Sequence, residues 1–252
     1  MPLTDIHVGR KPSPRKIVLY GIHGIGKSTF AANADTPIFI PTEEGVNDID
    51  CASFPLCRTF EEVMSRISEL YNEEHEYKTV VIDSLDWLEK LIWAQVCTEK
   101  SVTSIEDIGY AKGYTFALKH WKRLRDSLDT LRRECGMTVI LLAHSKIEKF
   151  ENPETDTYDR YSPALHKLAS ADIQEWADEV LFANYKVFTR KTGEGFNQDK
   201  HKATGNGDRV IRTSERPAHV AKNRLTDIPY EIPLDFAELK KYFPTAQEQS
   251  NA

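Results

Sequence analysis

The chain has 252 residues, 40% of them hydrophobic and 29% charged, with a net charge of −6. These totals suit one large α/β domain, or one domain with appendages, in a soluble globular protein. They exclude a membrane-spanning chain, because no apolar run nears the ~20 residues a span needs. They also exclude a generic polyanion binder, so any nucleic-acid contact must come from local patches. The N-terminus has no apolar signal region. Cys51, Cys57, Cys97 and Cys135 lack CxxC or zinc spacing, so reduced structural thiols in a cytoplasm are expected.

Residues 1–15 carry Pro2, Pro12 and Pro14 among basic side chains and show no periodicity. They read as an extended lead-in, either a solvated tail or a strap onto a neighbouring subunit. The apolar run 17–20 then enters Gly21-Ile22-His23-Gly24-Ile25-Gly26-Lys27-Ser28-Thr29, which fits G-x-x-x-x-G-K-[ST] between strand-like and helix-like segments. Glycines let such a loop turn its backbone N–H groups inward onto a polyphosphate, at the positive end of the next helix. Lys27 supplies a mobile charge for the β- and γ-phosphates, and Ser28 a hydroxyl for Mg²⁺. Residues 21, 23–26 and 27–29 are therefore the predicted nucleotide contacts.

Thr36-Pro37 ends the loop helix, and 38–40 read as a short buried strand running into Pro41-Thr42-Glu43-Glu44-Gly45. Thr59 to Glu62 forms a capping box, with Phe60, Val63, Met64, Ile67 and Leu70 at helical spacing. The β-branched run 79–82 ends in Asp83, and ligands of open parallel sheets sit at such strand ends, so Asp83 is the natural Mg²⁺-shell acid. Helices are predicted over 85–96 and, at 4-3-4-3 spacing, through Ala117, Trp121, Leu124, Leu128 and Leu131. The run 137–143 must be a central strand, with His144 and Ser145 at its end, followed by a polar loop over 146–163 and a helix through Leu165, Leu168, Ile173 and Trp176. Another strand is expected over 179–188, irregular chain over 192–208, strands of a hairpin or meander at 210–211 and 219–221, and a short helix over 235–242.

Hydrolysis requires a group that positions or deprotonates water, and the residue after Asp83 is Ser84. Glu43, at the end of the strand after the loop helix, is the best substitute, with Glu44 its rival.

Thr42-Glu43 after an apolar strand, Asp83-Ser84 and a polar group ending a long central strand together resemble the RecA/RadA recombinase ATPase core. Ala221-Lys222-Asn223-Arg224 resembles the K-x-[KR] segment by which RecA-type and DnaB-type ATPases reach a neighbour's γ-phosphate. Tyr158-Asp159-Arg160-Tyr161 and Trp176-Ala177-Asp178-Glu179-Val180 draw the likeness closest to small phage-encoded, Sak-type annealing proteins, over about residues 15–235. The resemblance implies a single RecA-like P-loop NTPase α/β domain over 16–243, with a mostly parallel central sheet flanked by helices, a C-terminal antiparallel β extension and a flexible tail over 244–252. It implies ATP and Mg²⁺ on Lys27, Ser28 and Asp83, water positioned by Glu43, and His144 as the polar sensor, a neutral imidazole donating one hydrogen bond as an amide would. Lys222 and Arg224 would act in trans, within a homo-oligomer, filament or ring. Single-stranded DNA would meet Tyr110 and Lys112 on a loop over 99–114, and Tyr158, Arg160 and Tyr161 on the loop over 146–163. A single-strand-binding protein would be a further partner, and the compartment a bacterial host's cytoplasm. Glu148, Glu151, Glu154, Asp156 and Asp159 depart from the RecA pattern and favour annealing or an accessory role over strand exchange. The rival functions are a DnaB-like ring translocase core and a nucleotide-gated binding protein without motor activity.

Overall fold

The computed structural model describes residues 12–186, 188–192, 200–204 and 207–244. Most of the predicted lead-in (1–11) and most of the predicted tail (245–252) lie outside the described residues. Alternation along the strands decides which helices cover which face, because successive side chains of a strand point to opposite sides. In β1 (Lys16–Gly21), Ile17 and Leu19 face one side and Val18 and Tyr20 the other, all fully buried. The same split runs through β2 (Pro37–Pro41), β4 (Thr79–Asp83), β5 (Thr138–Phe150) and β7 (Glu179–Tyr185). Apolar residues of both parities need cover on both faces, as parallel sheets do.

The cover is unequal. Phe30 of α1 (Lys27–Ala32) and Phe236 of α6 (Phe236–Lys240) close the face of Ile17 and Leu19. The opposite face carries α2 (Phe60–Asn72), α3 (Leu85–Lys100), α4 (Lys112–Glu134) and α5 (Lys167–Trp176). Thr59 caps α2 as predicted, accepting from the Glu62 N–H at 3.2 Å, whereas Glu62 turns back to the N–H of Arg58 rather than of Thr59. The predicted stripe of α4 from Ala117 to Leu131 is buried throughout, and truncating Leu124 or Leu128 there would cost about 2–5 kcal/mol.

With β3 (Ala52–Ser53), β10 (Arg209–Arg212) and β11 (Glu231–Pro233), the sheet order is β11-β10-β7-β1-β5-β4-β2-β3. From β7 to β3 every neighbouring pair is parallel, and β10 and β11 add antiparallel edge strands. This is the mixed α/β, mostly parallel P-loop NTPase fold expected. Among the described residues no helix is long and apolar enough to cross a membrane.

Three expectations are corrected. The polar loop over 146–163 is largely a β-hairpin: β5 continues past His144 to Phe150 and pairs antiparallel with β6 (Tyr158–Pro163). Its apolar residues, Ile147 opposite Tyr161 and Phe150 opposite Tyr158, fall three apart on each strand, so no period-2 signal marks it in the sequence. Second, 219–221 form no strand: isolated bridges tie His219 to Tyr161 and Arg216, and Lys222 to Val180. Third, within 192–208, β9 (Lys200–Thr204) pairs with β8 (Phe188–Thr192), while 193–199 and 205–206 lie outside the described residues.

Candidate nucleotide-binding site

The parallel register brings the carboxyl ends of β1, β4 and β2 level with the middle of β5, with Gly21 opposite His144, Asp83 opposite Leu142, and Pro41 opposite Asp83. Parity then points Asp83 with Val81, and His144 with Ile140 and Leu142, to the face that α1 covers. Here a cavity of ≈ 410 Å³ is lined by Lys27, Ser28, Asp83, Glu43, His144 and the loop glycines Gly24 and Gly26.

The loop begins at Gly21, where a Cβ would run into the Ala183 carbonyl oxygen of β7. It ends at Gly26, whose φ of 106° is left-handed and favours glycine. Ile25 is buried, which anchors the loop from below, while His23 and Thr29 are exposed beside the cavity. Lys27 is folded back, its Nζ donating to the carbonyls of Gly21 at 3.2 Å and Ile22 at 3.1 Å. Burial lowers its pKa, against the pull of Asp83, Asp86 and Glu43. A polyphosphate would return to that ammonium the opposite charge it lacks.

Ser28 Oγ donates to Asp83 Oδ2 at 2.6 Å. Burial raises the Asp83 carboxyl, and the Ser28 bond only partly offsets it. One hydroxyl and one carboxylate, with phosphate oxygens and water completing the shell, suit Mg²⁺, which seldom takes an all-protein cage. No group of three or more His, Cys, Asp or Glu among the described residues could hold a metal by itself.

Thr42 places Glu43. Its backbone N–H donates to the Asp83 carbonyl at 2.7 Å, its hydroxyl donates to the Ser84 carbonyl at 2.7 Å, and the Ser84 N–H donates back to that hydroxyl at 2.9 Å. The end of β2 is thereby clamped to the end of β4. Glu43 is half-buried with Oε1 at 3.9 Å from His144 Nδ1, whereas Glu44 is exposed.

Sequence reading missed the partner of His144. Asp86, in the first turn of α3, accepts from the His144 backbone N–H at 3.0 Å and meets the ring Nδ1 at 2.9 Å. Burial would raise the Asp86 carboxyl, but the His144 bonds and charge outweigh it and hold it below its usual value. A carboxylate cannot donate, so Nδ1 carries the proton and Nε2 is the other nitrogen. This corrects the amide analogy: the one proton of a neutral His144 is already committed, and Nε2 offers a lone pair. The ring also stacks on His23, centroids 3.9 Å apart.

One turn along α3, Glu89 is buried, and both its oxygens accept from the His166 backbone N–H, at 3.1 and 2.9 Å. Burial pushes its carboxyl from 4.5 up to about 7. Glu89 lies four residues after Leu85 and three before Ile92, so an acid on a buried stripe was the available signal. Arg209 was missed as well: it lines the cavity from β10, two strands away from the loop strand.

The remaining predicted residues lie elsewhere. Lys222 Nζ donates to the carbonyls of Gln174, Glu175 and Ala177 at 3.0, 3.0 and 2.8 Å, closing the C-terminal end of α5. Arg224 is exposed but paired with Asp178 at 3.1 Å. The two cations expected to act in trans thus serve here as a helix cap and half of an ion pair within one protomer. Tyr110 is 97% exposed, with Lys112 5.9 Å from its ring. Arg160 lies over Phe150 at 3.9 Å and pairs with Glu148, and Tyr158 tilts against Phe150. Tyr161 is half-buried, its ring stacked on Phe182 against the core rather than standing on an open loop.

A sequence profile for a family described as an AAA domain matches residues 13–225. The SPbeta prophage-derived uncharacterized protein YorG of Bacillus subtilis (strain 168) is 23% identical over 232 residues, 88% of this chain and 63% of that protein. The chain therefore spans less than two thirds of the length of this relative.

Proposed function

This chain belongs to the AAA-domain family of P-loop ATPases, and we propose that it binds ATP with Mg²⁺, hydrolyses it slowly, and acts on single-stranded DNA in phage-type recombination or strand annealing as a homo-oligomer. The observation that carries the nucleotide part is the convergence of Lys27, the Ser28–Asp83 pair, Glu43 and His144 on one cavity at the strand ends. Mg²⁺ held at Ser28 and Asp83 would neutralise charge on the β- and γ-phosphates. Lys27 leaves the two loop carbonyls for the phosphates. Glu43 accepts a hydrogen bond from the attacking water, and His144 Nε2, a lone pair on a ring fixed by Asp86, accepts a second. Water adds to the γ-phosphorus as the bond to the β-γ bridging oxygen breaks, giving ADP and phosphate, and the water's proton passes to Glu43. The exposed Tyr110 with Lys112, and Arg160 on the hairpin, support the DNA reading. Similarity to a prophage-derived protein supports its phage-type setting.

A second reading, a nucleotide-gated binding protein, is favoured by one observation: Lys222 and Arg224 are engaged inside the protomer, so a cation lent to a neighbour would have to break those contacts. ATPase rate against protein concentration, with and without single-stranded DNA, separates the two. The proposal expects a rate per protomer that rises with concentration and with DNA, and a loss of about 100-fold or more in Glu43→Gln. Equal slow rates for both proteins, with and without DNA, would leave only the binding role.

A further inference from the structure

The groups that define the reactive end of a bound triphosphate, Asp83, Glu43 and His144, stand on β4, after β2 and on β5, all to one side of the loop strand β1. A nucleotide laid across the loop with its γ-phosphate at that end extends its nucleoside half the other way, over β7 and β10. Arg209 and, beside it, Leu234 stand on that ground. Arg209 opens β10 opposite Tyr185, at the carboxyl end of β7, and shares the parity of Ile211, which packs on the α1 face. Its guanidinium meets the loop from that side: a Cβ added to Gly26 would lie 2.7 Å from Nη1, and 3.7 Å from Leu234 Cδ2. The Leu234 N–H donates to the Arg209 carbonyl at 3.0 Å, so the two residues are held side by side.

Among the described residues Arg209 has no ion pair, and the one hydrogen bond of its side chain there, from Nη1 to the Ile25 carbonyl, is long at 3.4 Å. Its side chain is exposed, yet it lines the nucleotide cavity. A planar cation that is weakly tied and set beside an apolar methyl group can lie on the face of an aromatic heterocycle while the leucine supports the edge.

We propose that Arg209 and Leu234 seat the nucleobase of the bound nucleotide, Arg209 by stacking its guanidinium on the ring, and that they set affinity for the nucleoside half rather than for the phosphates. This rests on the nucleotide-binding reading above. It also explains Gly26 a second way, since any side chain there would push Arg209 off the loop.

The test is calorimetric titration of the full chain with Mg²⁺ and either ATP or inorganic tripolyphosphate, for wild type, Arg209→Ala, Arg209→Lys and Lys27→Ala. Arg209→Ala is expected to weaken ATP about tenfold or more and leave tripolyphosphate within about twofold. Arg209→Lys, which keeps the charge but loses the plane, should follow Arg209→Ala. Equal weakening of both ligands in Arg209→Ala would make Arg209 a phosphate cation and overturn the proposal, and so would ATP affinity unchanged in that variant. Failure of the nucleotide reading itself looks different: wild type would bind neither ligand, or Lys27→Ala would bind ATP as wild type does.

Discussion

A carboxylate that accepts both the backbone N–H and the Nδ1–H of one histidine leaves that ring no freedom of tautomer, and Asp86 does this to His144. Glu89, three residues on, is placed by the same helix but lies deeper, and it titrates where Asp86 does not. Its folded value of about 7 exceeds the ordinary 4.5, so the folded chain holds a proton there that the unfolded chain releases. The stability linked to that proton is therefore complete below pH 4.5 and is lost as pH rises toward 7. Glu89→Gln, which keeps an acceptor for the His166 N–H without the charge, should raise unfolding free energy at pH 8 by about 2–3 kcal/mol and change it little at pH 4.5. Chemical denaturation at the two pH values measures this, and equal effects at both would show that Glu89 is not the titrating group.

At the scale of elements, α5 ends on a lysine from a distant segment. Three carbonyls of its last turn would face water or nothing without Lys222, and desolvation by its surroundings lowers that ammonium's pKa. Lys222→Ala should lower stability by about 1–2 kcal/mol, a fall in Tm of about 2–8 °C by scanning calorimetry. A cation used only in trans would instead cost ATPase and leave Tm unchanged. This element also shows what a linear reading can reach. Gly21 to Thr29, the strand ending at Asp83 and the α4 stripe were legible because each signal is local, a motif or a period. Lys222 resembled a family segment, but its partners lie 45–48 residues away, and only folding brings them together. Arg209 was silent for the same reason, since its position over Gly26 follows from the antiparallel docking of β10 on β7. The hairpin was hidden differently: its acids match the usual composition of a loop, and its apolar residues, at 147 and 150 and at 158 and 161, are spaced by three and so give no strand period.

Across the whole molecule, the nucleotide cavity sits on the α1 face, while Tyr110 leads into α4 on the other. Tyr110→Ala should reduce single-stranded DNA affinity about tenfold in fluorescence anisotropy without moving Tm, because a ring that is 97% exposed contributes nothing to the core. Tyr161→Ala should behave oppositely, costing about 3 kcal/mol of stability for a ring packed on Phe182. If the two exchanged behaviours, the assignment of which aromatics are free would be wrong. Between cavity and hairpin runs β5, unbroken from Thr138 to Phe150, with His144 at its midpoint. Half of this strand is wedged between β1 and β4, and the other half has β6 as its only ladder partner among the described residues. Through Tyr161, which faces Ile147 and is held by Phe182, Ala218 and Val220, β6 pins the first part of that half, so the overhang is the stretch from Glu148 to Phe150, roughly 10 Å. With the triphosphate proposed above in the cavity, one uninterrupted strand would join the group nearest its γ-phosphate to the hairpin tip.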